Sequence, residues 1–219
     1  PDTRQPPIWS PDGRHLLVTA LDDANAPMIL EIEPDSGSIE RLEIPSGRPA
    51  QAEYGPGDTL FVIHDASGQG GPELVAYDRR TWAPQARIDG VSQVRFDRAN
   101  GRLLYTRLDA SGLWSVPPSL DADAIVRLSD TTPSRWRYRS WSLHGDGRVS
   151  YLDVQPSCRS RMSEFSIVED RLVAGASVCM DPDTYNASNG FSAGDGVWYI
   201  SLASDDGSDI GFMALPPRP

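Results

Sequence analysis

"IWSPDGRHLLV", Ile8 to Val18, sets an aromatic residue, a Ser-Pro-Asp-Gly turn and an apolar run in quick succession. Read alone, it has the look of a catalytic or phosphate-gripping turn. "YGPGDTLFVI" (Tyr54 to Ile63), "FDRANGRLLYT" (Phe96 to Thr106), "WSLHGDGRVSYL" (Trp141 to Leu152) and "FSAGDGVWYI" (Phe191 to Ile200) keep the same order of aromatic, turn and strand. Five copies make the stretch a repeated structural part, not a single active-site turn.

The anchors Trp9, Tyr54, Phe96, Trp141 and Phe191 recur at intervals of roughly 40 to 50 residues, the length of a four-stranded propeller blade. Between them the chain reads as β throughout. "HLLVTAL", "MILEIE" and "IERLEI" are short apolar or alternating runs separated by "DDANAP" and "PDSGS", as strands and their turns should be. "LFVIHD", "ELVAYD" and "PQARID" repeat the scheme, and so do "RLLYTRL", "GLWSVP" and "AIVRLS". "RVSYLDV", "EFSIVE" and "RLVAGASV" serve a fourth unit, and "VWYISLA" and "IGFMAL" a fifth. No sustained 3.6-residue apolar period is present, so very little helix is expected.

The expected fold is therefore an all-β propeller, a single domain over 1–219 of about five four-stranded blades. Approximate blade limits are 7–49, 50–91, 92–136, 137–186 and 187–219. The structural signature comprises Trp9, Asp12 and Gly13, then Tyr54, then Phe96 and Gly101, then Trp141, Asp146 and Gly147, then Phe191 and Gly196. Gly accepts the positive φ of a tight turn, and the Asx side chain bonds nearby amides. Each aromatic is expected to wedge between blades. The fifth unit offers at most three strands, and "PDTRQPP" (Pro1 to Pro7) is a poor closing strand because proline donates no ladder hydrogen bond. Either a five-bladed ring closes imperfectly, or these are the last five blades of a larger ring. The second is slightly preferred, and it would leave edges open to homodimerisation.

A net charge of -11 argues against direct nucleic-acid binding, which draws its affinity from clustered positive charge. All basic residues are Arg, as a GC-rich genome would produce. Arg135, Arg137 and Arg139 interleaved with Trp136 and Tyr138 read better as a strand with one wet face than as a stacking platform. No run approaches the roughly 20 apolar residues of a membrane span. The opening Pro1-Asp2-Thr3-Arg4 lacks the apolar segment of a signal peptide, so the chain reads as a mature or trimmed piece of something longer.

Cys158 and Cys179 bracket "CRSRMSEFSIVEDRLVAGASVC", two strands joined by a turn at Glu169-Asp170. Cysteines at the ends of such a hairpin lie within bridging reach, which predicts a disulfide and an oxidising compartment. Two buried thiols are the alternative. Nothing else carries recognisable chemistry. There is no Gly-x-Ser-x-Gly elbow, and His15, His64 and His144 have no metal-binding spacing. "DPDTYNASNG" (Asp181 to Gly190) begins like a calcium loop but has Ser192 where the bidentate Glu belongs. "SDDGSD" (Ser204 to Asp209) reads as a solvated hairpin tip. Carboxylate pairs of the glycosidase kind stay open, although the Asp residues sit mostly in turns.

"WSPDGRHLLV" and "WSLHGDGRVSYL" resemble the PD40, or TolB-like, propeller repeat, whose blades are marked by W-S-P-D-G and an apolar strand. The first copy matches closely, the fourth carries extra residues before its Asp-Gly, and the others keep only the outline. Among proteins with such blades, the resemblance points most to the periplasmic propeller of CadC/ToxR-like membrane-bound transcription regulators. It implies a non-catalytic periplasmic sensor or interaction module, tethered to the inner membrane through an upstream segment. A protein or small ligand would bind on the propeller face, with no catalytic residue, metal or cofactor. The alternatives are a TolB-like scaffold or the propeller of a glycan- or peptide-processing enzyme.

Overall fold

The computed structural model describes residues 7–45, 47–65, 71–130, 141–155, 157–179, 190–192, 197–204 and 207–214. These form a succession of antiparallel meanders. The first sheet holds β1 (Ile8–Trp9), β2 (Leu16–Leu21), β3 (Pro27–Glu33) and β4 (Ser38–Arg41), paired in chain order. The second holds β5 (Arg48–Tyr54), β6 (Thr59–Asp65), β7 (Glu73–Asp78) and β8 (Pro84–Asp89). The third holds β9 (Val91–Asp97), β10 (Arg102–Arg107), β11 (Leu113–Val116) and β12 (Val126–Ser129). The fourth holds β13 (Trp141–Leu143), β14 (Val149–Gln155), β15 (Cys158–Val168) and β16 (Arg171–Cys179). The last has three strands, β17 (Gly190–Ser192), β18 (Val197–Ser204) and β19 (Gly207–Ala214). Among the described residues, no strand of the last sheet pairs with the first, so no shared ladder closes a ring.

The second strand of each blade explains why the apolar runs are continuous. Successive side chains of a strand point to opposite faces. In β6, Leu60 and Val62 join a core shared with the first sheet, where Leu17 and Ile29 lie. Phe61 and Ile63, one residue out of step, join the core shared with the third sheet, beside Val94, Leu103 and Tyr105. In β10, Leu104 faces the other way, into a core with Trp141 and Val149 of the fourth sheet. A strand flanked by sheets on both faces has no wet side, and its sequence does not alternate.

Signature positions tie neighbouring sheets together. Tyr54 is buried against the first sheet, and its hydroxyl donates to Glu31 Oε1 at 2.6 Å. Arg79 grips both oxygens of Glu31 at 2.8 Å and lies over the Tyr54 ring. Burial and this carboxylate together push the Tyr54 phenol up. Trp141 is buried in the core between the third and fourth sheets, and Phe96 packs on the core between the second and third. Trp9 differs: it is 50% exposed, so it does not act as the buried wedge that the repeat predicts. The ring lies instead beside a cavity lined by residues of the second, third and fourth sheets. The Phe191 side chain and Gly196 lie outside the described residues.

The Asp-Gly turns are built alike. Asp12 accepts from the Ser10 hydroxyl at 2.5 Å and the Arg14 amide at 3.1 Å, which hold its carboxyl below the ordinary carboxylate range. In the fourth sheet, Asp146 accepts from the Arg148 amide at 3.2 Å. Cys158 and Cys179 are joined by a disulfide, with Cα atoms 5.8 Å apart, across the β15–β16 hairpin. That hairpin turns through Glu169 and Asp170, both with positive φ.

Candidate functional site

The first strands of neighbouring sheets approach one another, β5 meeting both β1 and β9. The residue preceding each aromatic anchor is Ile8 in β1, Glu53 in β5 and Arg95 in β9. Alternation along β5 sends Ala52 and Tyr54 into the core shared with the first sheet. Gln51 and Glu53 then face the third sheet. Gln51 is buried and satisfied by one backbone unit: its Nε2 donates to the Val94 carbonyl at 2.7 Å, and its Oε1 accepts from the Val94 amide at 3.2 Å. Glu53 meets Arg95 Nη1 at 2.9 Å, with side chains 4% and 9% exposed.

This ion pair forms the floor of an open funnel of about 330 Å³. Pro7 and Trp9 of the first sheet, the exposed Arg98 just after β9, and Leu143, His144 and Gly145 of the fourth sheet complete its lining. Arg98 donates to the Trp9 carbonyl at 2.9 Å, linking the third sheet to the first across the rim. His144 is buried, with Nε2 3.0 Å from the Ser150 hydroxyl. Ser150 is itself fully buried, so it orients the imidazole and is not placed as a nucleophile.

The electrostatics follow from desolvation. Burial pushes the Glu53 carboxyl up, and the adjacent Arg95 charge and hydrogen bond pull it back. Burial pushes the Arg95 guanidinium down, opposed by Glu53. An ionised pair so placed is costly to break, because either partner alone would be an uncompensated buried charge. Arg95 Nη2 has no hydrogen-bond partner among the described residues. Burial also pushes His144 down, against the pull of Glu164, and so keeps the imidazole neutral at pH 7. The funnel thus combines an anchored guanidinium, a second exposed one, a neutral imidazole and a half-exposed indole.

Of the residues singled out in the sequence, Trp9 lines the funnel, while Asp12, Gly13, Gly101, Asp146 and Gly147 lie in turns. The disulfide lies on the outer strands of the fourth sheet. His15 is half-buried, and His64 is buried with Nε2 3.0 Å from the Tyr77 hydroxyl. Among the described residues no group of His, Cys, Asp and Glu is arranged to hold a metal. The stretches Arg135–Arg139 and Asp181–Asn189 lie outside the described residues, as do Asp205 and Asp206. No described helix is long and apolar enough to cross a membrane.

Glu53 and Arg95 escape a motif reading because they sit one residue upstream of each repeat signature. The available signal is a lone charged residue immediately before an aromatic anchor, in "AEY" and "VRF". His144 was legible only as the residue inserted ahead of Gly145-Asp146-Gly147.

No protein-family model matches the chain, and the search of curated proteins finds no match. Solved structures do match. A periplasmic gluconolactonase from Pseudomonas aeruginosa aligns with 96% of this chain and 68% of its own, at 15% identity and TM-score 0.59. A candidate 6-phosphogluconolactonase from Bacteroides uniformis aligns with 96% of this chain and 67% of its own, at 13% identity and TM-score 0.59. The β-propeller domain of the Trilobed protease from Pyrococcus furiosus aligns with 98% of this chain and 68% of its own, at 9% identity and TM-score 0.56.

The fold is that of a β-propeller. The chain spans about two thirds of each of these three. Two expectations are corrected here. The non-catalytic sensor of a transcription regulator is set aside, since lactonases stand among the neighbours. The prediction that the chain is not an enzyme falls with it, since it rested on motif absence, and a funnel assembled from separate sheets leaves no motif. The resemblance to PD40 repeats and to CadC/ToxR-like proteins holds only at the level of the propeller.

Proposed function

We propose that the chain is the propeller of a hydrolase acting on a small polar ester of the sugar-lactone type, with the funnel as its active site. The observation that carries this reading is the buried Glu53–Arg95 pair at the floor of an open cavity of about 330 Å³. That volume lies in the range of small-molecule sites, and convergent polar groups on an otherwise structural scaffold are their usual mark. The lactonase names among the neighbours support the substrate class.

Each residue takes a role that its surroundings permit. Trp9 offers a flat apolar face for the sugar ring. Arg95, fixed by Glu53, and Arg98 at the mouth bind oxygens of the substrate. His144, neutral because it is buried, accepts a proton from water as that water attacks the lactone carbonyl. The carbonyl–ring oxygen bond then breaks, the imidazolium returns its proton to the departing ring oxygen, which leaves as a hydroxyl, and the new carboxylic acid loses its proton to solvent. The blades are read as part of a larger ring, a single propeller domain over 1–219, which the greater length of the neighbours supports. The Cys158–Cys179 bridge and the periplasmic neighbour support an oxidising compartment such as the periplasm.

The test is proton release from glucono-1,5-lactone in a pH-stat, measured above spontaneous hydrolysis. Wild-type protein is expected to accelerate it, and His144→Gln to lower kcat at least tenfold with KM little changed. A wild-type rate no greater than the spontaneous one across neutral and acidic aldonolactones overturns the reading.

A further inference from the structure

We infer that the funnel selects a ligand bearing one carboxylate, an acidic sugar of the uronate kind, over a phosphorylated one. The inference rests on the funnel being the binding site, and its basis is a charge count. Among the described residues lining the funnel, Arg95 and Arg98 are cationic, Glu53 is anionic and His144 is the remaining titratable group. With a neutral imidazole the sum is one positive charge, which one carboxylate cancels. A phosphate monoester, mostly dianionic at neutral pH, would bring a surplus negative charge close to the Glu53 carboxylate.

Geometry agrees with the count. A guanidinium carries five N–H donors in a planar fork suited to a carboxylate. Glu53 engages Arg95 Nη1 and so neutralises the buried guanidinium, whose Nη2 is itself enclosed by protein. The exposed Arg98 guanidinium, steadied by the Trp9 carbonyl, is then the fork that an anion in the funnel meets. Trp9 beside it gives the rest of the sugar an aromatic face.

Titration calorimetry with sodium glucuronate, glucose 6-phosphate and glucose tests this without depending on turnover. Glucuronate is expected to bind at least tenfold more tightly than glucose and more tightly than glucose 6-phosphate. Glu53→Gln raises the local charge by one and is expected to reverse the order, favouring glucose 6-phosphate. Arg98→Gln removes the one uncompensated positive charge, and it is expected to lose glucuronate binding at least tenfold while remaining folded. Tighter binding of glucose 6-phosphate by wild type overturns the inference. Unchanged glucuronate affinity in folded Arg98→Gln, or no binding of glucuronate by wild type, does so too. Lactone hydrolysis without carboxylate preference sinks this inference alone, whereas carboxylate binding without hydrolysis sinks only the enzymatic reading.

Discussion

Two neighbouring strands of the second sheet, β5 and β6, are built on opposite principles. β6 reads "TLFVIHD", and Leu60 to Ile63 are essentially inaccessible, each feeding one of two apolar cores. β5 reads "RPAQAEY": its alanines and tyrosine pack, while Gln51 and Glu53 are buried as polar groups with named partners in the third sheet. The outer strands hold the stack together by area. Among the described residues, β5 and β9 hold register by the Gln51–Val94 hydrogen bonds and bring the buried Glu53–Arg95 pair together.

Substitution should separate the two principles. Phe61→Ala removes a wholly buried ring and is expected to cost about 3–5 kcal/mol, as large-to-small core changes do. Urea denaturation would measure it. Below the unfolding transition, ligand affinity should be unchanged, since Phe61 does not line the funnel. A loss of affinity in the folded variant would show that the cores and the funnel are not separable.

The inner strand should respond by pairs. Arg95→Met alone strands the Glu53 carboxylate and is expected to destabilise by about 3 kcal/mol, whereas the double change with Glu53→Gln should restore most of that. Arg98→Gln, on the exposed rim, is the change expected to lose ligand at little cost in stability, so stability and binding part company at this site. Equal destabilisation by the single and double variants would mean that Arg95 matters as packing and not as a partner.

That asymmetry also explains what was readable in the chain. The second, third and fourth strands of the blades were legible because their apolar runs and turns are local signals. β5 and β9 carry no such local signal. Ala50, Ala52 and Pro49 have weak strand preference, and "VSQVRFD" mixes polar and apolar residues, its Val94 and Arg95 being matched to Gln51 and Glu53 more than 40 residues away. The funnel shared that fate: Glu53, Arg95, Arg98 and His144 come from three sheets, and no spacing in sequence brings them together. Trp9 departs from its repeat position too: the repeat predicts a wedge, but the ring lies at the funnel, half in solvent.

The buried histidines supply a gentler contrast, again between inner and outer parts. Burial lowers the pKa of both His64, on β6, and His144, at the funnel. Their unfolded value is about 6.5. The unfolded chain therefore binds protons first as pH falls, and stability rises with pH in this window. Stability from these groups is complete above about pH 6.5 and is lost on acidification below it. Tm should fall between pH 7.5 and 5.5, and His64→Gln with His144→Gln should flatten that slope. A slope unaffected by both changes would assign the pH dependence to other groups.

The smallest expected effects compare the same glycine in two copies of the repeat. Gly13 and Gly147 both have positive φ, 71° and 84°, so an alanine at either pays the left-handed penalty of about 1 kcal/mol. Their surroundings differ. A Cβ on Gly13 meets nothing, because the first turn projects into solvent. A Cβ on Gly147 would run into the Asn100 side-chain amide and come within 3.2 Å of Asp97 Oδ1, in the turn of the third sheet. Asp97 is fully engaged there, accepting from the Asn100 amide and side chain at 3.2 and 2.8 Å. Gly147→Ala should therefore cost clearly more than Gly13→Ala, the difference being the displacement of Asn100 from Asp97. An additional Asn100→Ala change frees the space and should shrink that difference, because only the φ penalty then separates the two positions from wild type. If Gly147→Ala remains equally costly with Asn100 removed, the strain lies in the turn itself and not in its seating against the neighbouring sheet.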